Sequence, residues 1–215
     1  MSKKIKQRCP CGSGKGLRQC CGKPSSEKKL ELEKAARHFS DLDMHAEACE
    51  VLEERAFLSP QNPLIWNDLG VQRVAAGQRS DALIAFKRAL EVFPGYPVAL
   101  YNLGKLSLDR CLEELRLQGR QKQQDQILEL ATEAAKYLRE SVAKDPSLAC
   151  AHELLHKVFG ILGDRQKASS HLAQALRLNP ELRTLYDRPR LGRLPLIGRI
   201  FIKLDYLGPE FLSSR

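Results

Sequence analysis

Residues 63–96 read PLIWNDLGVQRVAAGQRSDALIAFKRALEVFPGY. Counted from Pro63, Trp66, Leu69 and Gly70 fall at positions 4, 7 and 8, and Gly77 at 15. Ala82, Phe86, Ala89 and Pro94 follow at positions 20, 24, 27 and 32. Apolar residues three and four apart on either side of a glycine predict two amphipathic helices joined by a tight turn. Small residues at positions 8 and 20 allow the two helices a close approach. Larger residues at 4, 7 and 24 fill the space between them. Proline at 32 ends the second helix.

Outward from this stretch the proline recurs. Pro60, Pro94, Pro146 and Pro180 stand 34, 52 and 34 residues apart. Residues 149–182 place Leu155, Phe159, Gly163, Ala168, Leu172, Ala175 and Pro180 on the same register. Residues 97–148 open with Leu100, Leu103 and Gly104 and close with Ala134, Leu138, Ser141 and Pro146. Residues 29–62 fit more loosely, through Leu32, Ala35, Ala36, Phe39, Ala48, Leu52 and Pro60. A 34-residue pattern of this kind closely resembles the tetratricopeptide repeat, or TPR. The resemblance covers residues 29–182 and implies an all-α solenoid of about four helical hairpins. Each hairpin buries against its neighbours a face that it could not bury alone.

The third repeat carries 18 extra residues between Asp109 and Ala131, a stretch with no proline and with Gly119 as its glycine. The simplest accommodation lengthens both helices by about nine residues, or about 13 Å each. Gly119 would then lie near the turn of a projecting hairpin.

Composition agrees with a helical protein. Only 6% of residues are aromatic, and 28% are charged, which predicts a well-solvated exterior. The net charge of +9 is unevenly spread. Residues 1–24 carry seven basic side chains and no acidic one, residues 183–215 carry a net +4, and residues 25–182 are left at −2. Basic ends attract acidic protein surfaces, RNA or anionic lipid. The N-terminal charge has no apolar run behind it, and the Leu196–Ile202 stretch is far too short to span a bilayer, so a cytoplasmic chain without a leader is expected.

The basic N-terminal segment holds Cys9, Cys11, Cys20 and Cys21 within CPCGSGKGLRQCCG. Four thiolates can close a tetrahedral zinc shell. The neighbouring Lys and Arg charges favour the thiolate form, and metal binding would supply the folding free energy of so short a segment. The segment resembles the SEC-C motif found at the C-terminus of the SecA translocation ATPase. That resemblance implies zinc on these four cysteines. It also points to protein partners among chaperone, protein-export or ribosome-associated factors. The run Gly12-Ser13-Gly14-Lys15 is no P-loop, because Cys9 and Gly16 occupy positions that motif requires to be Gly and Ser or Thr.

The chain is expected to comprise a zinc knuckle at 1–24, a TPR array at 25–182 and a C-terminal basic and apolar arm at 183–215. In TPR proteins positions 2, 5, 9, 12 and 13 of the first helices line an inner groove. By that resemblance Glu33, Arg37, Asn67, Val71, Val74, Tyr101, Lys105, Leu108, Glu153 and Lys157 face inward. Arg37, Asn67, Tyr101, Lys105 and Lys157 are the candidate partner-binding residues, through amide hydrogen bonding to an extended backbone and lysine contact with a carboxylate. Glu33 stands where the chaperone-binding carboxylate clamp has lysine, so that clamp is not expected.

Residues 152–156, His-Glu-Leu-Leu-His, spell the zinc-peptidase pattern H-E-x-x-H. The repeat register argues otherwise. His152 and His156 occupy positions 4 and 8, which face the partner helix, and Phe159 stands where the extended metzincin motif needs glycine. The chain is therefore read as a non-enzymatic adaptor. The alternatives are nucleic-acid binding through the basic ends and a zinc peptidase built on His152, Glu153 and His156.

Zinc content separates these readings. The chain is expected to hold one zinc by atomic emission, and a version lacking residues 1–24 none. Zinc that survives the truncation would restore His152 and His156 as ligands.

Overall fold

The computed structural model describes residues 26–116 and 123–186. Among them the chain is helical throughout: α1 Ser26–Asp41, α2 His45–Leu58, α3 Pro63–Ala75, α4 Arg79–Val92, α5 Pro97–Arg116, α6 Gln123–Lys144, α7 Ala149–Ile161 and α8 Arg165–Leu178. A 3-10 turn, Pro180–Leu182, leads into the short α9, Arg183–Tyr186. The fold divides into two compact units, one ending at Gln61 and the other beginning at Asn62. The proposed zinc ligands, the Gly119 turn and residues 187–215 lie outside the described residues.

In the first unit α1 and α2 pair through Ala36, Ala48, Leu52 and Ala56, all buried. Salt bridges join the two helices at Lys28–Glu54, 2.6 Å, and Arg55–Glu33, 3.4 Å.

In the second unit the pairs α3/α4, α5/α6 and α7/α8 stack in sequence. The small residues at positions 8 and 20 set the closeness of each pair. Gly70 lies against the ring of Phe86, which is fully buried, and a methyl group at Gly70 would overlap that ring. A methyl at Gly104 would stand 2.6 Å from Leu138 Cγ and 3.3 Å from the Ala134 carbonyl. Phe86 also packs with Leu103, and Trp66 with Ala89, Tyr96 and Val98, so α4 and α5 share a core. Ser141, the small residue at position 27, donates to the Pro97 carbonyl at 2.8 Å and ties the end of α6 to the start of α5.

The turns inside the hairpins share one construction. After α1, α3 and α7 the residue at position 15 has positive φ: Asp43 at 55°, Gly77 at 78° and Gly163 at 79°. In each, the next amide donates back across the helix end, Met44 to Phe39, Gln78 to Arg73 and Asp164 to Phe159, satisfying carbonyls that would otherwise be orphaned. Glycine adopts this conformation without cost, whereas Asp43 carries a Cβ strain of about 1–2 kcal/mol.

The third hairpin lacks that stop. Its position 15 is Cys111, fully buried in mid-helix with its thiol 3.5 Å from the Ile127 carbonyl. The helix therefore runs on: α5 has 20 residues and α6 has 22, against 13 and 14 in α3 and α4. The added turns are packed, with Leu112 and Leu115 set against the cluster that contains Ile127 and Leu130. Arg79 at the start of α4 braces the extension through Nη1, which donates to both carboxylate oxygens of Glu113.

Replacing Gly70 or Gly104 with alanine is expected to destabilise the chain by about 1–3 kcal/mol in urea unfolding, overpacking outweighing the gain in helix propensity. Gly160 has open space around its would-be Cβ. Gly160→Ala should instead stabilise by up to about 1 kcal/mol. Equal effects at the three sites would refute close approach as the reason for the glycines.

Candidate functional site: the inner face and the last hairpin

The first helices of the second unit carry a row of polar residues along register positions 5, 6 and 9. On α3 and α5, Asn102 Nδ2 donates to Asn67 Oδ1 at 2.8 Å, with both side chains fully buried. On α5, Lys105 pairs with Asp109 at 2.8 Å. On α7, Lys157 pairs with Glu153 at 2.8 Å. Glu153 is 1% exposed. A buried carboxylate of this kind needs both its cation and further hydrogen bonds to offset desolvation. The second bond comes from Tyr186 on α9, whose hydroxyl donates to Glu153 Oε1 at 3.1 Å. Burial, and after it the Glu153 charge, raises the Tyr186 phenol well above its ordinary value, so it stays a donor.

Of the five residues read from sequence as partner-binding, Asn67, Tyr101, Lys105 and Lys157 fall in this unit, and all four are buried. Arg37 belongs to the first unit, exposed and paired with Glu33 at 2.9 Å. Tyr101 neighbours the Cys150 thiol, which burial pushes up to about 12. Cys111 is raised to about 11 by the same cause. Neither is a reactive thiolate at neutral pH. Sequence reading missed Asn102, at register position 6, and Tyr186. Two asparagines 35 residues apart on adjoining positions of consecutive repeats were the available signal for the first.

The H-E-x-x-H segment lies in the same α7 helix and serves the helix pair. His156 Nδ1 lies 3.0 Å from the Ala168 carbonyl, and the His156 ring meets Tyr186 edge-on at 5.7 Å. His152 uses both ring nitrogens: Nδ1 lies 3.0 Å from His171 Nδ1, and Nε2 lies 3.3 Å from the Pro146 carbonyl. His171 in turn stacks on Phe159, with centroids 5.5 Å apart and planes 6° from parallel. Glu153, the would-be general base, is committed to Lys157 and Tyr186. Among the described residues no three His, Cys, Asp or Glu side chains are grouped to share a metal ion, and no helix is long and apolar enough to cross a membrane.

Solved structures with a similar backbone include MamA, at 15% identity and a TM-score of 0.58, covering 78% of this chain and 85% of that one. YrrB, a TPR protein with an unusual peptide-binding site, matches at 19% identity and a TM-score of 0.54, covering 73% and 72%. TTC0263, a thermophilic TPR protein of Thermus thermophilus, matches at 23% identity and a TM-score of 0.57, covering 72% and 77%. At these identities the likeness establishes the fold, that of the tetratricopeptide repeat. No protein-family model matches the sequence, and no curated protein matches it.

The His152–His171 contact gives a testable pH response. Both rings are held below the ordinary imidazole value. Burial is the main cause for each, with Arg177 adding to it at His152, and His152, Arg139 and His156 adding to it at His171. The Pro146 carbonyl works the other way on His152. The unfolded chain therefore binds protons more readily than the folded one. Stability is fully present above about pH 6.5 and is lost as pH falls toward the lowered folded values. Thermal unfolding of the intact chain should show Tm declining from pH 7 to pH 5, with a shallower decline in His171→Gln. Identical slopes would refute the assignment.

Proposed function

We propose that this chain is a protein–protein adaptor that holds an extended polypeptide segment along the inner face of α3, α5 and α7. One observation carries the reading: Tyr186, a residue outside the stacked hairpins, is already seated on that face with its hydroxyl on Glu153. A face that accepts one stretch of chain through buried polar groups has the chemistry to accept another. The fold is consistent with this use, as the peptide-binding site of YrrB illustrates. The commitment of His152 and Glu153 to internal contacts supports a non-enzymatic role.

The zinc knuckle at Cys9, Cys11, Cys20 and Cys21 would supply a second recognition surface. Its resemblance to the SEC-C motif favours cytoplasmic partners in chaperone, export or ribosome-associated processes. The +7 charge of residues 1–24 favours one competing reading, nucleic-acid binding through the ends.

Fluorescence anisotropy with a tiled library of labelled peptides tests both readings. Adaptor function predicts peptides whose affinity falls at least about tenfold, 1.4 kcal/mol, in Lys105→Glu and Asn102→Asp, with helix content retained by circular dichroism. It also predicts a weak dependence on salt. Phosphate contacts would instead lose about 10³-fold between 50 and 200 mM salt. Labelled RNA bound with that steep slope, together with peptides indifferent to Lys105→Glu, would overturn the proposal.

A further inference from the structure

We infer that this chain binds a second copy of itself head to tail, the exposed face of α2 in one copy docking on the exposed face of α8 in the next. The inference is independent of the peptide-binding reading. Its first support is charge complementarity. α2 carries Glu47, Glu50, Glu53 and Glu54 against Arg55, a net −3 with His45 neutral. α8 carries Arg165, Lys167 and Arg177 and no acidic residue, a net +3 with His171 neutral. The second helices of the intervening hairpins, α4 and α6, are nearly balanced at +1 and −1. Internal pairing removes only part of the imbalance. Glu54 is held by Lys28 and Lys167 by Asp164. Glu50 and Glu53 are exposed, as are Arg165 and Arg177, and neither arginine has an ion pair among the described residues.

The second support is Phe57. Exposed ion pairs choose a partner and a register but add little affinity, so such a contact needs an apolar anchor. Phe57, on the same face of α2 as Glu50 and Glu53, is 75% exposed, the most of any large hydrophobic residue described. An aromatic side chain buries about 150–250 Å² when it is covered. The face opposite has room for it, because Ser169, Ser170 and Ala173 are the exposed side chains in the middle of α8.

The third support is spacing. Glu50 and Phe57 stand seven residues apart on α2, and Ser170 and Arg177 seven apart on α8. Seven residues are about two turns, so each pair shares one stripe and spans about 10 Å. With the two helices antiparallel, Phe57 over Ser170 brings Glu50 opposite Arg177. The contact is heterologous, the kind that builds rings or filaments.

Sedimentation velocity of the intact chain provides the test. Its weight-average mass should climb above that of one chain as concentration rises. It should return toward one chain between about 0.1 and 1 M salt, where the screening length falls to about 3 Å. The variant with Glu50→Arg and Glu53→Arg should associate at least tenfold more weakly, and so should the variant with Arg165→Glu and Arg177→Glu. Each of these alone presents like charges to its own copies. Mixed in equal amounts they present opposite charges again, and association should return, which excludes misfolding as the cause of the loss. Phe57→Ser should weaken association at least tenfold with the charges intact. A chain that stays monomeric at low salt and high concentration would overturn the inference, as would reversed variants that fail to associate when mixed. Association that survives both reversals would place the contact elsewhere and overturn it equally. A labelled RNA bound by a monomeric chain, and lost with Arg165→Glu and Arg177→Glu, would assign the face of α8 to nucleic acid instead.

Discussion

The architecture depends on how closely two helices can approach. Gly70 against Phe86 and Gly104 against Leu138 bring backbone to within a side chain's thickness of the facing helix. The other apolar contacts of each pair follow from that distance. Bulky residues then bridge from one hairpin to the next as well as within their own. Trp66 meets Tyr96 and Val98 in this way, and Phe86 meets Leu103. A chain of short helices with modest amphipathicity thus acquires a continuous core. The last hairpin departs from the rule, because His156 occupies the small position. It is accommodated through a polar contact with the Ala168 carbonyl, while the nearby His152 and His171 share another. Polar contacts there do part of what van der Waals contact does elsewhere.

Much of the second unit was legible in the sequence because its signals are local. A glycine at position 15 marks a turn that needs positive φ, and a proline at position 32 marks a helix end two residues earlier. Each follows from the conformational limits of one residue. The extension of the third hairpin could be read from the 52-residue proline interval, and its cause, Cys111 in place of the turn glycine, is equally local. The first hairpin was harder to read because Asp43 does the glycine's work.

The candidate site was less legible. Register assigned Asn67, Tyr101, Lys105 and Lys157 to one face, but burial depends on what else lies on that face, and no periodicity carries that information. Nor could spacing reveal that Tyr186, 33 residues beyond Glu153, would return to donate to it. His152 and His156 illustrate the opposite case. Their spacing matches a catalytic pattern, yet their ring nitrogens are spent on helix α8 and on the Pro146 carbonyl. A motif defined by spacing on one helix says nothing about the second helix that meets it.

The absent stop signal in the third hairpin makes its length a free variable. Elsewhere the turn residue dictates where the chain reverses, so a longer helix would have to break a left-handed cap. Among the described residues between Cys111 and Ile127 there is no left-handed cap of that kind. Matched insertions of seven residues in each helix, about two turns, would preserve the facing stripes of Leu112, Leu115, Ile127 and Leu130 and leave the stacked hairpins untouched. The protein therefore has a built-in place for change. A fused module, a fluorescent reporter or an inherited insertion there would ride on a packed pair of helices, away from the glycines on which the core depends.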